Sequence, residues 1–288
     1  MNQSIRKIAV LITSHNRKAK TLCCLESLFS QNIPDKFMIS VFLVDDGSTD
    51  GTKDEIKNKF PMVNVILGDG TLYWCGGMRL AWETANENDY YEFFLWLNDD
   101  VKLKSGALST LIDAYFHIRS TTKSDSIIVG ACLGFESGKL IYGGYKKPIS
   151  DGLLDESSEL QQCYSMNGNI VLIPRVIAVS VGNLSKNFTH AMGDIDYGIR
   201  AINHGFSIYV APGILGLCGE PEKAIWMNPK VPFIKRWRNL HSPKGLPPKE
   251  YMILRKRMGL RFWFIVPLKL LIQVCFPKIF NDSVIYKN

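Results

Sequence analysis

The chain has 288 residues, 46% of them hydrophobic and 21% charged, which is enough for one large domain or two modest ones around a sizeable core. That balance excludes global disorder. Seven cysteines, an odd number with no C-x-x-C pair, argue against a secreted disulfide framework and against a metal finger. The net charge of +7 is uneven: from Glu222 onward there are 14 Lys+Arg against 3 Asp+Glu, whereas residues 1–221 carry 20 basic and 24 acidic residues. A mildly acidic body with a basic tail needs a separate account of the tail.

The opening 17 residues hold only the short apolar run 8–12, too brief for a secretory signal core or a membrane span, so a cytoplasmic, reducing location is expected. Residues 8–13 (IAVLIT) and 39–44 (ISVFLV) predict buried strands, with Leu22, Leu25, Leu28 and Phe29 at helical spacing between them. Residues 63–67 and 93–97 predict two more strands, flanking a helix over 77–86. Ser105 is expected to cap a helix whose face is Leu108, Leu111, Ile112, Tyr115 and Phe116. This alternation predicts an α/β fold: a mostly parallel sheet flanked by helices. Beyond residue 125 the rhythm loosens. Residues 127–132, 139–145 and 169–173 read as strands, some antiparallel, and 193–204 as a helix. Residues 221–248, rich in proline and basic side chains, read as an irregular connection, and the apolar stretch 262–276 follows.

Ligands of open α/β sheets settle outside the carboxyl ends of the strands. Three polar clusters fall there: Thr13-Ser14-His15-Asn16-Arg17, then Asp45-Asp46-Gly47-Ser48-Thr49-Asp50-Gly51-Thr52, then Asn98-Asp99-Asp100. One such cluster is ordinarily a turn or cap. Three on one rim point to chemistry, because adjacent carboxylates repel unless a cation or hydrogen-bond donors neutralise them. Oxygen-only ligands favour Mg²⁺ or Mn²⁺ shared with substrate phosphates. Gly68-Asp69-Gly70 does not continue as G-x-G-x-x-G, since Tyr73 takes the third glycine position, and there is no P-loop. Hydride transfer and P-loop phosphoryl transfer are thereby disfavoured.

The order strand, T-S-H-N-R, helix, strand, V-D-D-G-S-T-D-G-T, then a strand ending in N-D-D-V resembles the family 2 glycosyltransferases with a GT-A fold, over roughly residues 5–215. The N-D-D form and residues 72–82 (LYWCGGMRLAW) resemble bacterial rhamnosyltransferase-like members that build surface polysaccharides. The resemblance implies that Thr13, Asn16 and Arg17 line the nucleotide, and that Asp45 or Asp46 contacts its base or ribose. The D-x-D motif falls on Asn98-Asp99-Asp100, so Asp100 would hold Mg²⁺ or Mn²⁺ on the donor diphosphate while Asn98 leaves a neutral, ribose-facing group. Arg79 takes a position usually held by Asn and would reach a phosphate instead. Trp74 either stacks on a base or sugar or belongs to the core. The late acidic motif matches Gly193-Asp194-Ile195-Asp196, with Gly193 in place of the leading Glu and Asp194 as the base that deprotonates the acceptor. The bland alternative makes Asp194 a helix cap and Asp196 with Arg200 an i,i+4 pair. Met166-Asn167-Gly168-Asn169 is either a turn or a sugar-facing loop.

These implications amount to an inverting transfer from a UDP-, dTDP- or GDP-sugar to a glycan or lipid-linked acceptor. The alternatives are a nucleotidyltransferase or a catalytically silent glycan- or lipid-binding module. The expected organisation is a catalytic domain over 1–220 and a basic C-terminal helical extension over 221–288. In that extension Lys235-Arg236-Trp237-Arg238 and Arg255-Lys256-Arg257 lead into an apolar stretch shorter than a span. Peripheral contact with the inner face of the cytoplasmic membrane is expected, with Lys235 and Arg236 near acceptor phosphates and no nucleic acid bound. The alternative is a helix packed on the protein's own core.

Overall fold

The structure, a computed structural model, describes residues 5–221 and 224–279, so residues 280–288 of the basic extension lie outside it. β1 (Arg6–Ser14) is flanked by α1 (Lys18–Phe29) and β2 (Phe37–Asp45), then α2 (Thr52–Lys59), β3 (Asn64–Leu67), α3 (Tyr73–Asn88) and β4 (Phe93–Leu97). β5 (Lys102–Leu103), α4 (Ala107–Thr122), β6 (Ser126–Gly134), β7 (Leu140–Tyr142) and β8 (Gly144–Tyr145) follow. The second half continues with β9 (Gln161–Cys163), β10 (Ser165–Met166), β11 (Ile170–Pro174), α5 (Arg175–Val181), α6 (Gly193–Asn203) and β12 (Ser207–Cys218). Among the described residues three helices follow: α7 (Phe233–His241), α8 (Pro248–Arg257) and α9 (Val266–Cys275).

The main sheet runs β3-β2-β1-β4-β11-β6-β12-β5, with β7 on β6 and β9 on β12; β8 and β10 form a separate pair. β3, β2, β1 and β4 are parallel, as are β6 and β12, while β11 is antiparallel to both its neighbours. The fold is thus mixed α/β with a mostly parallel sheet between helices. β1 shows why its residues are apolar without alternation. Ile8, Val10 and Ile12 join Cys24, Leu25 and Leu28 of α1 in one core, whereas Ala9 and Leu11 join Met78, Ala81 and Trp82 of α3 in another. Parallel register aligns Ser14 with Asp45 and Asp45 with Leu67, so the loops after these strands open on one edge.

Two local expectations are corrected and one strand is new. Ser105 does not cap α4; Gly106, in the left-handed region at φ 79°, occupies the N-cap position. The stretch 221–248 contains a two-turn helix, α7, whose first helical residue follows Pro232. β12 is a 12-residue strand unforeseen because Pro212 and Gly213 look like a turn; they form an irregularity within the ladder to β6, with Gly213 at φ 69°.

These three helices, α7 to α9, are packed on the protein. Leu240, Tyr251, Leu254, Val266, Leu270 and Val274 share a third buried cluster with Cys75, Phe188, Ile195 and Ile199. Arg236, expected near acceptor phosphates, is buried and donates to the carbonyls of Val274 and Val231. No described helix is long and apolar enough to cross a membrane.

Candidate active site

The floor of the site is set by a close approach. Gly77 of α3 lies on β1, where an added Cβ would stand 2.0 Å from Thr13 Oγ1. Thr13 is consequently buried beneath α3. Asn16, left-handed at φ 51°, links the first two loops: its N–H donates to Ser48 Oγ at 2.9 Å and its Oδ1 accepts from Thr49 N–H at 2.8 Å.

The paired aspartates after β2 differ. Asp45 Oδ1 accepts the Ser48 N–H at 3.0 Å. The Asp46 carboxylate accepts three backbone N–H groups, from Gly70 (2.8 Å), Leu72 (3.3 Å) and Tyr73 (2.9 Å), at the start of α3. Backbone dipoles at a helix N-terminus neutralise its charge and lock the third loop to the second. Asp46 is therefore committed to holding this edge together, while Asp45, equally buried, holds the turn through Ser48.

At the end of β4, Asn98 Oδ1 accepts from Trp74 Nε1 at 2.7 Å, so its carboxamide oxygen faces the indole. Arg17 Nη1 bridges the next two carboxylates, 3.1 Å from Asp99 and 3.2 Å from Asp100. Asp99 is buried, and burial, reinforced by the neighbouring Asp100 charge and opposed by Arg17, pushes its carboxyl up to about 6. Lys20 joins this group. An added Cβ on Gly219 would stand 3.4 Å from Lys20 Nζ and 3.7 Å from Asp100 Oδ2. Arg17 and Lys20 make a cationic wall beside Asp100. The sequence carried a signal for Lys20 in its spacing of three from Arg17, which brings both to one side of the first turn of α1.

Asp194 stands in the first turn of α6. Its carboxylate accepts the N–H of Gly168 at 2.9 Å and of Ile195 at 2.8 Å, and burial raises its pKa despite these bonds. Gly168 is pinned between two groups of the site: a Cβ there would lie 2.6 Å from the Trp74 ring and 3.3 Å from Asp194 Cβ. Trp74 thus joins Asn98 on one side to the Asp194 loop on the other. Tyr142 lies within electrostatic reach of both Asp100 and Asp194, whose charges add to burial in raising its phenol. Tyr145, pushed up to about 12 by burial and Asp194, accepts a hydrogen bond from Asn167 at 3.0 Å. Arg17, Asp99 and Asp100 at the end of β4 are thereby linked through Asn98, Trp74 and Gly168 to Asp194, and Asp46 reaches the start of the helix that carries Trp74 through the Tyr73 N–H. Gly168 belongs to the Met166-Asn167-Gly168-Asn169 segment read from the sequence as a turn or a sugar-facing loop, whereas Tyr142 carried no motif.

Arg79 is not part of that run of contacts. Its guanidinium donates to the carbonyls of Ser185 and Phe188, both at 3.1 Å, and its own carbonyl accepts from Asn183. The expectation that it reaches a phosphate is corrected: its donors hold the loop 183–189 against α3.

Among the described residues no three His, Cys, Asp or Glu side chains are grouped to hold a cation. Asp100 offers a single carboxylate. That donor set suits Mg²⁺ or Mn²⁺ drawing its remaining ligands from a diphosphate and water, and does not suit an all-protein cage.

Comparison with known proteins agrees with this architecture. Residues 9–129 match the family described as Glycosyl transferase family 2. The structure resembles that of S. aureus TarS 1–349 in complex with UDP-GlcNAc, at TM-score 0.59 and 13% identity, over 94% of this chain and 72% of that one. TarS 1–349 alone aligns at TM-score 0.54 and 15% identity, over 93% and 80%. GalNAc-T7 with UDP, GalNAc and Mn²⁺ aligns at TM-score 0.54 and 12% identity, over 95% of this chain and 58% of that one. No curated protein sequence matches significantly. Identities this low establish a shared fold alone, and the sequence match covers residues 9–129. Residues 9–129 thus resemble glycosyl transferase family 2, and the mixed α/β fold is of the GT-A type.

Proposed function

We propose that the protein transfers a sugar, a hexose or rhamnose, from a UDP-, dTDP- or GDP-linked donor to a hydroxyl of a surface-polysaccharide acceptor, with inversion. The observation that carries this reading is the run of contacts linking the Asn98-Asp99-Asp100 turn to Asp194: Trp74 bonds Asn98 and packs on Gly168, whose N–H donates to Asp194, with Arg17 beside Asp100. Inverting transfer breaks the bond from the anomeric carbon to the diphosphate as the acceptor oxygen forms its own bond from the opposite face. It needs charge neutralisation on one side and a base on the other.

Arg17 and Lys20 would meet the departing diphosphate, and Asp45, with the loop held by Asn16 and Thr13, would meet the nucleoside. Asp100 is the residue that would hold Mg²⁺ or Mn²⁺, which supplies positive charge for the leaving group when bound. Asp194 would take the acceptor proton. Its burial favours a raised pKa, and the Gly168 and Ile195 N–H groups fix where its oxygens point. The TarS structure holds UDP-GlcNAc and the GalNAc-T7 structure UDP with Mn²⁺, which supports a nucleotide-sugar donor and a divalent cation. Residues 1–220 would perform the chemistry. Residues 221–288 would face a lipid-linked acceptor at the inner surface of the cytoplasmic membrane.

The test is a panel of sugar nucleotides with Mn²⁺, scored for turnover and for donor affinity by calorimetry. Asp194→Asn should keep donor affinity within about twofold and lose turnover by roughly 10²–10⁴-fold, the range for a positioned base. Asp100→Ala should lose the Mn²⁺-dependent part of donor affinity. Full turnover by Asp194→Asn would refute the base, and nucleotidyl rather than sugar transfer would refute the reaction.

A further inference from the structure

α9 is apolar on two faces. Val266, Leu270 and Val274 recur at i, i+4 and i+8 and are buried in the third core cluster. Leu268, Leu271 and Ile272 occupy the other face and stand 60%, 39% and 43% exposed, and Phe276 follows at 58%. A helix apolar all round normally lies inside a protein or against something. The exposure continues into the turn before α9, where Phe262, Phe264 and Ile265 are open, and onto α7, where Phe233, Ile234 and Trp237 are open. Of the large apolar side chains exposed among the described residues, most fall in this final segment. They therefore gather on one unit and are not spread over the surface.

Cationic side chains accompany the apolar ones. Lys235, Arg238, Lys256, Arg261 and Lys278 are exposed, and Lys256 and Arg261 lie over the rings of Trp263 and Phe262. Glu250, the one acidic residue among positions 224–279, turns inward to accept from Thr189. The face thus pairs aliphatic and aromatic side chains with positive charge and no compensating negative charge.

We infer that the outer face of α9, with residues 262–265 and the exposed side of α7, docks on an anionic lipid surface. This rests on the membrane-facing reading of residues 221–288 given above, and assigns it to particular side chains. The chemistry selects the occupant. The exposed aliphatic run Leu268, Leu271 and Ile272 suits acyl chains, the aromatic side chains suit the interface, and the basic rim suits phosphate headgroups. A second copy in two-fold contact would bring two positively charged faces together. At about 15 Å, ten residues of helix cannot span a bilayer, so the unit lies in the interface.

The inner side of the same unit touches the helix that bears Asp194. Val266 and Leu270 share their cluster with Ile195 and Ile199, and Arg257 pairs with Asp196. Docking would therefore hold the acceptor side of the site at a fixed height above the lipid.

Sedimentation of the full-length protein with phosphatidylglycerol-containing and pure phosphatidylcholine vesicles tests this. Wild type should bind the anionic vesicles at least tenfold better, and 0.5 M salt should weaken that binding. Quenching of its tryptophans by brominated lipid should report insertion without any substitution. Leu268→Glu with Ile272→Glu should bind at least tenfold more weakly with an unchanged melting temperature. Absence of wild-type binding and quenching, or equal binding by the double variant, would overturn the assignment. So would a wild-type dimer that the double variant converts to monomer without any vesicle affinity. Donor calorimetry on the same proteins separates the two claims: lipid binding without donor affinity would sink the transferase reading and leave this surface standing.

Discussion

The pKa of Asp194 ties its surroundings to a measurable property. Burial disfavours its ionised form, and two backbone N–H groups only partly offset that. A base acts deprotonated, so turnover should fall as pH drops through a value above the ordinary carboxylate range, and a pH–kcat/KM profile reads that limb directly. The same shift has the opposite sign for stability. The native state keeps this proton longer than the unfolded chain, so the contribution is largest below the unfolded pKa and is lost as pH rises through the folded one. Asp194→Asn should remove that slope from the acid side of a urea-unfolding series. An acidic limb at the ordinary Asp position would contradict the buried geometry. Asp46 illustrates why residue type alone misleads: it stands in the same motif as Asp45, yet three amide groups from residues 70–73 surround it. No spacing in the sequence reveals which of two adjacent carboxylates meets a loop folding back from 24 positions away.

α6 is held in place by a charge it does not expose. Asp196 is wholly buried, with Arg200 Nε at 3.0 Å from one oxygen and Arg257 of α8 on the other. The sequence suggested only the i,i+4 surface pair of Asp196 with Arg200. The contribution of Arg257, 61 residues on, depends on α8 packing across α6. Removing one partner leaves a buried carboxylate partly uncompensated, which costs about 3 kcal/mol in comparable cases. Arg257 is itself partly exposed, so Arg257→Ala should cost nearer 2 kcal/mol in urea unfolding. Asp194 sits two residues from Asp196, so turnover should fall more than donor affinity. Arg257→Lys should recover part of the stability, because an ammonium keeps the charge without the planar fork. Equal losses in donor affinity and turnover would show that the pair supports the fold as a whole and has no special bearing on α6.

Across the molecule, the first 100 residues were the most legible, because buried parallel strands are continuous apolar runs and their loops carry the polar clusters. Legibility failed where tertiary contact overrides local pattern: at β12, whose Pro212-Gly213 pair is absorbed as an irregularity; at Arg79, whose donors serve the loop 183–189; and at the basic tail. The tail has an inner face as well as an outer one, and this alters what its removal should do. A chain ending at Asn228 would lose Leu240, Leu254, Val266, Leu270 and Val274. Cys75, Phe188, Ile195 and Ile199 would then face water. Each fully uncovered aliphatic or aromatic side chain forfeits roughly 1.5–3 kcal/mol of burial, so several together approach the whole stability of a typical domain. The shortened protein should therefore melt lower and bind an apolar dye, and should lose turnover along with lipid affinity. Arg17, Asp99 and Asp100 sit at α1 and the β4 end, apart from that cluster, so donor affinity should decline less than turnover. Unchanged melting and full turnover toward a soluble acceptor would instead mark residues 229–288 as an appended anchor with no hold on α6.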